Sequence, residues 1–362
     1  MTSIISNKSK TVLICPLNWG LGHASRDVII IKKILDSGFK VIIGADKAPM
    51  IFLQAEFPEL PFIKIPSVEI KYPKGKRMVL KMLFSMPKIL YGIVNEHKQL
   101  KKILANNDVD IVISDNRYGL WSKNVYSIFI THQLEIQLPE WMNPIKYFVN
   151  KINYWFIRKY NLCWVPDFLG NNNVAEVLSH PKNMPKNIRY VGLLSRFKRI
   201  ELREEKYDIL AILSGPEPQR SVFEQILIKE LKTCKLKALI VQGKPGVLAG
   251  YNKYNIDFVS HLLTENLGQL ISTTPVVVSR SGYSSIMDYI SLKKNAILVP
   301  TPGQTEQEYL AKILKEKYWF YSVNQNEFNI KTAIKQLTSY QIPDFEINSS
   351  LLEKEIENLS KI

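Results

Sequence analysis

The run Thr-Val-Leu-Ile-Cys-Pro-Leu (11–17) is apolar at nearly every position and breaks off directly into a glycine turn, Asn18-Trp19-Gly20-Leu21-Gly22. Strict alternation would signal a half-wet strand. A short continuous run signals a strand covered on both faces, as in a parallel sheet. A helical pattern follows from about Ala24 to Asp36, Gly38 ends it, and a second apolar run begins at Lys40. Parallel pairing needs a crossover of this length, so residues 11–44 read as one β-α-β unit.

The alternation continues along the chain. Strand candidates at 109–114, 126–131 and 162–165 extend a first series, and those at 207–213, 237–242, 275–279 and 296–300 form a second. A chain of 362 residues is long enough for two cores. The expected fold is α/β, with two doubly wound Rossmann-like domains facing each other across a cleft. The expected boundaries are 1–193, a linker at 194–206 that is charge-rich from Arg196 to Lys206, 207–345, and a C-terminal helix at 346–362.

Composition narrows the setting. Cys15, Cys163 and Cys234 are scattered and odd in number, which implies neither a disulfide framework nor a thiolate metal site. No metal is expected, and a reduced, cytoplasmic setting is. No stretch of about 18 apolar residues occurs, so no membrane-spanning helix is expected. The formal charge of +15 points to an anionic partner: nucleic acid, an acidic lipid surface or a phosphorylated substrate.

Ligands of doubly wound sheets bind beyond the carboxyl ends of the strands, and the loops there hold the candidate residues. After the first strand, Gly20 and Gly22 permit close backbone approach before a helix N-terminus that favours anions. A dinucleotide fingerprint would need a third glycine, and Ser25 stands there instead. His23, at the helix start, is placed to take a proton from a hydroxyl or merely to hold the turn or a phosphate. Asp115, after another strand of the same series, would orient it or cap its own turn. His132, in Thr131-His132-Gln133, is the rival base. Asp108-Val109-Asp110 precedes a strand rather than following one and reads as a solvated lead-in.

Three loops of the second half are of the same kind. Ser214-Gly215 with Arg220 offers a tight turn, exposed N–H groups and a guanidinium for phosphate, unless it is a plain proline-rich loop. Arg280-Ser281-Gly282-Tyr283 opens a helix carrying Asp288, either a ribose ligand or an acid complementing the helix dipole. Thr301-Pro302-Gly303-Gln304 sets a rigid turn before the amides and carboxylates of 304–308.

Residues 280–288 and 298–309 together resemble the donor-binding region of glycosyltransferase family 28, which includes the peptidoglycan N-acetylglucosaminyltransferases. Gly-Leu-Gly-His (20–23) is similar to its N-terminal glycine-histidine motif. The resemblance implies the GT-B architecture and transfer of a sugar from a UDP-sugar co-substrate, without other cofactor. It implies that Asp288 contacts ribose and that Gln307 and Glu308 contact ribose or donor sugar. Ser281, Gly282, Ser214 and Gly215 fall in its phosphate loops, Arg196 approaches the diphosphate, and the backbone of Leu262 and Leu263 recognises the base. Asp288 stands where the family has a glutamate, and the 214–220 loop is poorer in glycine. The N-terminal loop is also poorer in glycine, which leaves the acceptor open among glycan, lipid-linked and small-molecule hydroxyls. The pairing of His23 with Asp115 looks like the base dyad of inverting GT-B transferases. Gly-Leu-Gly-His-Ala-Ser-Arg is also similar to a UDP-sugar hydrolase loop. A hydrolase or epimerase is therefore the alternative, and a non-catalytic nucleotide-sugar or polyanion binder is the other.

Two basic segments, 71–90 and 145–160, interleave lysines and arginines with apolar and aromatic residues. They suit the surface of an anionic bilayer, which would place the protein peripherally on the inner face of the cytoplasmic membrane, or they are ordinary solvated helices. No nucleic-acid motif accompanies them, so nucleic acid is not the expected partner.

Overall fold

A computed structural model describes residues 9–68, 78–170, 172–198, 206–247, 250–345 and 350–362. The first part of the basic segment, residues 71–77 and the side chains of 78–84, lies outside these, as do residues 199–205 of the expected linker.

The first half forms one seven-stranded sheet. Its strands are β1 (Thr11–Pro16), β2 (Lys40–Ala45), β3 (Phe62–Lys64), β4 (Ile111–Asp115), β5 (Tyr126–Ile130), β6 (Leu162–Val165) and β7 (Ile188–Tyr190). They lie in the order β3-β2-β1-β4-β5-β6-β7, all parallel. Helices α1 (Gly22–Asp36), α2 (Lys47–Glu56), α3 (Met78–Asn106) and α4 (Asn143–Ile157) lie between them. The central strands β1 and β4 are buried on both faces, which explains their unbroken apolar runs. The order reverses between β1 and β4, where Pro16 pairs with Asp115. A crevice opens at such a switch point.

The second half repeats the plan with β8 (Ile209–Ile212), α5 (Gln219–Leu231), β9 (Ala238–Val241), β10 (Gly250–Lys253), β11 (Ile256–Val259), α6 (Thr264–Thr273), β12 (Val276–Ser279), α7 (Tyr283–Leu292), β13 (Ala296–Leu298), α8 (Thr305–Glu316), β14 (Tyr321–Ser322) and α9 (Ile330–Leu337). The strand order is β10-β11-β9-β8-β12-β13-β14, and its switch point lies between β8 and β12. β10 and β11 pair as an antiparallel hairpin, the one departure from parallel pairing among the described strands. The sequence reading lacked this hairpin because β10 is exposed along its length and carries no apolar run.

The two halves share a core. Ala24, Val28 and Ile31 of α1 belong to one continuous apolar cluster with Tyr283, Ile286, Met287 and Ile290 of α7. The last helix, α10 (Ser350–Ser360), returns to the first half. Leu352, Ile356 and Leu359 join that same cluster, and Lys10 Nζ donates to the carbonyls of Leu359 (3.1 Å) and Ser360 (3.0 Å) at the helix end. A cation there meets unpaired carbonyls and the negative end of the helix dipole. Among the described residues no helix is long and apolar enough to cross a membrane.

Candidate active site

The loops beyond both switch points meet. Gly20 has φ +108°, a conformation that favours glycine, and a Cβ placed there would lie 3.8 Å from the Gly215 Cα of the opposite half. Ser284 Oγ donates to the Gly22 carbonyl at 2.9 Å. Helices α1, α7 and α8 start directly after the loops that follow β1, β12 and β13, and the first N–H groups of a helix have no acceptor within it. At the start of α5 the N–H groups of Arg220, Ser221 and Val222 are already taken by Pro216, Glu217 and Pro218.

His23 stands at this junction on the first turn of α1, with its side chain 18% exposed. Its Nδ1 is 2.9 Å from Asp115 Oδ1. Asp115 is fully buried and also receives Arg26, whose Nε donates to Oδ2 at 2.6 Å and whose Nη2 donates to Oδ1. Nη2 also lies 3.0 Å from His23 Nδ1, and the charged Asp115 oxygen beside it is the stronger acceptor for its protons. Burial alone would raise the Asp115 pKa; the Arg26 guanidinium and the His23 contact outweigh it and hold the carboxyl well below the usual carboxylate range. Asp115 is thus a fixed negative charge, and His23 donates its Nδ1 proton to it. The other ring nitrogen, Nε2, then carries the lone pair.

Arg26 was missing from the sequence reading as a site residue. The signal was there, since position i+3 lies beside His23 on the same helix face. Asp27, next in α1, is fully buried. Burial, with the adjacent Asp115 charge, holds it well above the usual carboxylate range.

His132 is brought to the same network. It is 5% exposed, and both nitrogens are engaged, Nδ1 facing Arg26 Nη1 at 3.2 Å and Nε2 facing Glu306 Oε1 at 2.7 Å. Both His132 nitrogens are thus occupied within the protein.

The donor-side residues occupy distinct places. Gly215 approaches Gly20 of the first half, and Ser214 is half-buried beside it, whereas Arg220 does not present its guanidinium to the cleft as expected. It is buried and consumed by the Gln242 carbonyl (3.0 Å), Glu217 and Glu224, so it braces the loop from within. Ser281 is fully buried and donates to the Gln307 carbonyl at 2.9 Å, while Gly282 precedes α7 with open space where a side chain would project. Gln307 Oε1 accepts from Thr301 N (2.9 Å) and Glu308 Oε1 from Gly303 N (2.8 Å), so both side chains fold back onto their own turn. Leu262 packs against the shared core, and Leu263, 43% exposed, holds extended backbone before α6.

Asp288 and Arg196 form a second buried cluster. Ser195 Oγ donates to Asp288 Oδ1 at 2.6 Å, and Arg196 Nη1 donates to Thr264 Oγ1 at 3.1 Å and lies 3.6 Å from Glu56 of α2. Glu56 Oε1 also accepts from Thr264 N (2.8 Å), tying α2 to α6 across the halves. Burial pushes Asp288 up to about 7, with Arg196 and Ser195 opposing it.

Residues 228–353 match the glycosyltransferase family 28 C-terminal domain. A Buchnera aphidicola protein, UDP-N-acetylglucosamine–N-acetylmuramyl-(pentapeptide) pyrophosphoryl-undecaprenol N-acetylglucosamine transferase, is 25% identical over 344 residues, covering 91% of this chain and 89% of its own. An uncharacterized glycosyltransferase of Methanosarcina acetivorans is 23% identical, with 82% and 81% covered. The chain is a glycosyltransferase of the GT-B fold. Two solved structures show that fold: a kitacinnamycin glycotransferase (TM-score 0.60, 12% identity, 98% and 94% covered) and Acinetobacter baumannii MurG (TM-score 0.52, 13% identity, 97% and 95% covered). In this glycosyltransferase the matched domain contains the loops of α7 and α8, and His23, Arg26, Asp115 and His132 lie outside it.

The buried acid of the donor domain gives a pH-dependent prediction. Below pH 3.8, Asp288 is protonated in both folded and unfolded states. Between there and about 7 the unfolded chain loses the proton first, so the folded state is progressively disfavoured; above about 7 the penalty is constant. Thermal melts of Asp288→Asn against the parent should show a stability advantage that grows across this window and then levels. A difference that does not vary with pH would contradict this placement.

Proposed function

We propose that this glycosyltransferase moves a sugar from a UDP-sugar to an acceptor hydroxyl with inversion and without a metal ion. The observation that carries the reading is His23 Nδ1 held by Asp115, which leaves Nε2 at the junction of the two glycine loops. His23 Nε2 would take the hydroxyl proton as the acceptor oxygen bonds to the anomeric carbon. The carbon–oxygen bond to the diphosphate breaks on the opposite face, and UDP departs with the electron pair. Charge developing on the diphosphate would meet the N–H groups at the start of α7, groups already oriented and needing no reorganisation. Asp288 and Arg196 would meet the ribose and the diphosphate, Gln307 and Glu308 the ribose or donor sugar by turning from the Thr301 and Gly303 N–H groups they now hold, and Leu262-Leu263 the base through their backbone.

Base assistance contributes about 10²–10⁴ in rate. His23→Ala should therefore lower kcat by a factor in that range while UDP-sugar affinity is retained. Unchanged kcat would exclude His23 as the base, and sugar release without acceptor would redirect the reading to hydrolysis. Asp288→Ala should weaken UDP-sugar binding in calorimetry more than it changes kcat; equal affinity would remove Asp288 from the ribose site.

The curated relative named above acts on a lipid-linked acceptor by its name. A surface of this chain supports the same class, a glycan precursor at the inner face of the cytoplasmic membrane. Helix α4 exposes Tyr147, Phe148, Ile152 and Trp155, preceded by Trp141. Helix α3 exposes Leu90, Tyr91 and Val94. The two are joined by His97 stacked on Trp121 (4.3 Å) and by Lys159 over both Trp121 and Trp155. Exposed aromatics with cations among them suit an anionic interface. Sedimentation with vesicles containing acidic phospholipid should pull down the protein in a salt-dependent way, and replacing Tyr147, Phe148 and Trp155 with serine should abolish it. Binding that survives this replacement would place the contact elsewhere.

A further inference from the structure

The network behind the base does not stop within the first domain. We propose that Glu306 of the second domain and His132 of the first are positioning residues for His23 and Asp115, acting through Arg26. This rests on the reading of His23 as the base.

A guanidinium can only donate. Since Arg26 Nη1 lies 3.2 Å from His132 Nδ1, that nitrogen is the unprotonated one. The single imidazole proton is therefore on Nε2, 2.7 Å from Glu306 Oε1. Burial favours the same neutral form, against the pull of the Glu306 carboxylate. The ring has no freedom to turn, because it is stacked on Tyr283 at 4.1 Å and 11°, and Tyr283 is anchored through its hydroxyl to the Pro166 carbonyl at 2.6 Å. The second oxygen of Glu306 accepts from the Gln133 side chain. The groups facing His132 are thus Glu306 from α8, Arg26 and His23 from α1, and Tyr283 from α7, with Asp115 behind Arg26.

With Nη1 occupied by His132, the other edge of Arg26 is left to lie flat on Asp115 through Nε and Nη2. That sets the rotation of the carboxylate whose Oδ1 holds the His23 Nδ1 proton at 2.9 Å. Each bond fixes the next, so a carboxylate from the donor domain governs the orientation of a base in the acceptor domain. The base is correctly set only when the two halves are together, as transfer rather than idle proton exchange requires.

The test uses the full chain with a UDP-sugar and acceptor, together with imidazole NMR of 15N-histidine-labelled protein. His23→Ala identifies the downfield His23 Nδ1 proton held by Asp115. Glu306→Ala, and His132→Phe with its stack on Tyr283 kept, should lower kcat about 10- to 100-fold with donor KM little changed. Both should also remove or broaden the His23 signal. Glu306→Gln keeps an acceptor for His132 Nε2 and should restore the signal and most of kcat. A His23 signal that is undisturbed in Glu306→Ala overturns the proposal, even if His132→Phe fails to fold. Lost activity with that signal intact also overturns it, because it would make Glu306 and His132 mere interdomain contacts. Full activity of His23→Ala would instead sink the base assignment and leave the NMR test of the positioning network in force.

Discussion

A carboxylate with no exposed surface at the middle of a parallel sheet must be paired, and Asp115 is held between Arg26 and His23. Removing one partner of such a buried pair costs about 3–5 kcal/mol, because the remaining charge is stranded. The backbone leaves Asp115 little choice of position. It pairs in register with Pro16, and its carbonyl accepts from Leu17 N at 3.0 Å, so the strand that carries the acid and the loop that carries the histidine are pinned together. The glycines that follow then turn the chain sharply enough to start α1 with His23 over Asp115. Arg26, one turn along, arrives on the same side. Chemistry at this junction therefore follows from a packing requirement of the sheet.

The second half contributes no residue to that ion pair, yet it is fitted to it. Gly20 and Gly215 leave space for the loops to approach, and Ser284, Thr305 and Glu306 each bond to the first half. Contacts of this kind are polar and replaceable by water, in contrast to the apolar packing of α1 against α7 beneath them. Such a division suits an enzyme that must admit and release a nucleotide. The apolar seam keeps the halves registered, and the polar rim can open at low cost.

Much of this was legible because the relevant signals are local. Strands buried on both faces advertise themselves as apolar runs, and the turn after each is where ligands gather, so the loops at 20–23, 214–220, 280–288 and 301–308 could be found from sequence. What was not legible depends on distance. His132 could be a base or a support until Glu306, 174 residues away, is seen to occupy its second nitrogen. Arg220 looked like a phosphate ligand because arginines near glycine turns often are; the loop curls so that its own Glu217 and Glu224 take the charge first. The β10 half of the β10–β11 hairpin was missed for the opposite reason, being a polar edge that no hydrophobic period marks.

The surface aromatic face and the cleft share one element. On its inner side α4 holds the loop that follows β5: Asn153 Nδ2 donates to the carbonyls of Gln133 (3.1 Å) and Leu134 (3.0 Å), Asn150 Oδ1 accepts from Ile136 N (2.7 Å), and Lys146 Nζ donates to Gln137 (3.0 Å). That loop in turn touches α8 of the donor domain through Gln133 and through the Gln137 carbonyl, which accepts from Thr305 Oγ1 at 2.9 Å. Buried asparagines are costly unless bonded, and here they are spent on backbone that would otherwise be free to move. The outward face of the same helix is aromatic. The loop that carries Gln133 and Gln137 therefore lies between the helix with the aromatic outer face and α8 of the second half, so a change in α4 is felt at the contact between the halves.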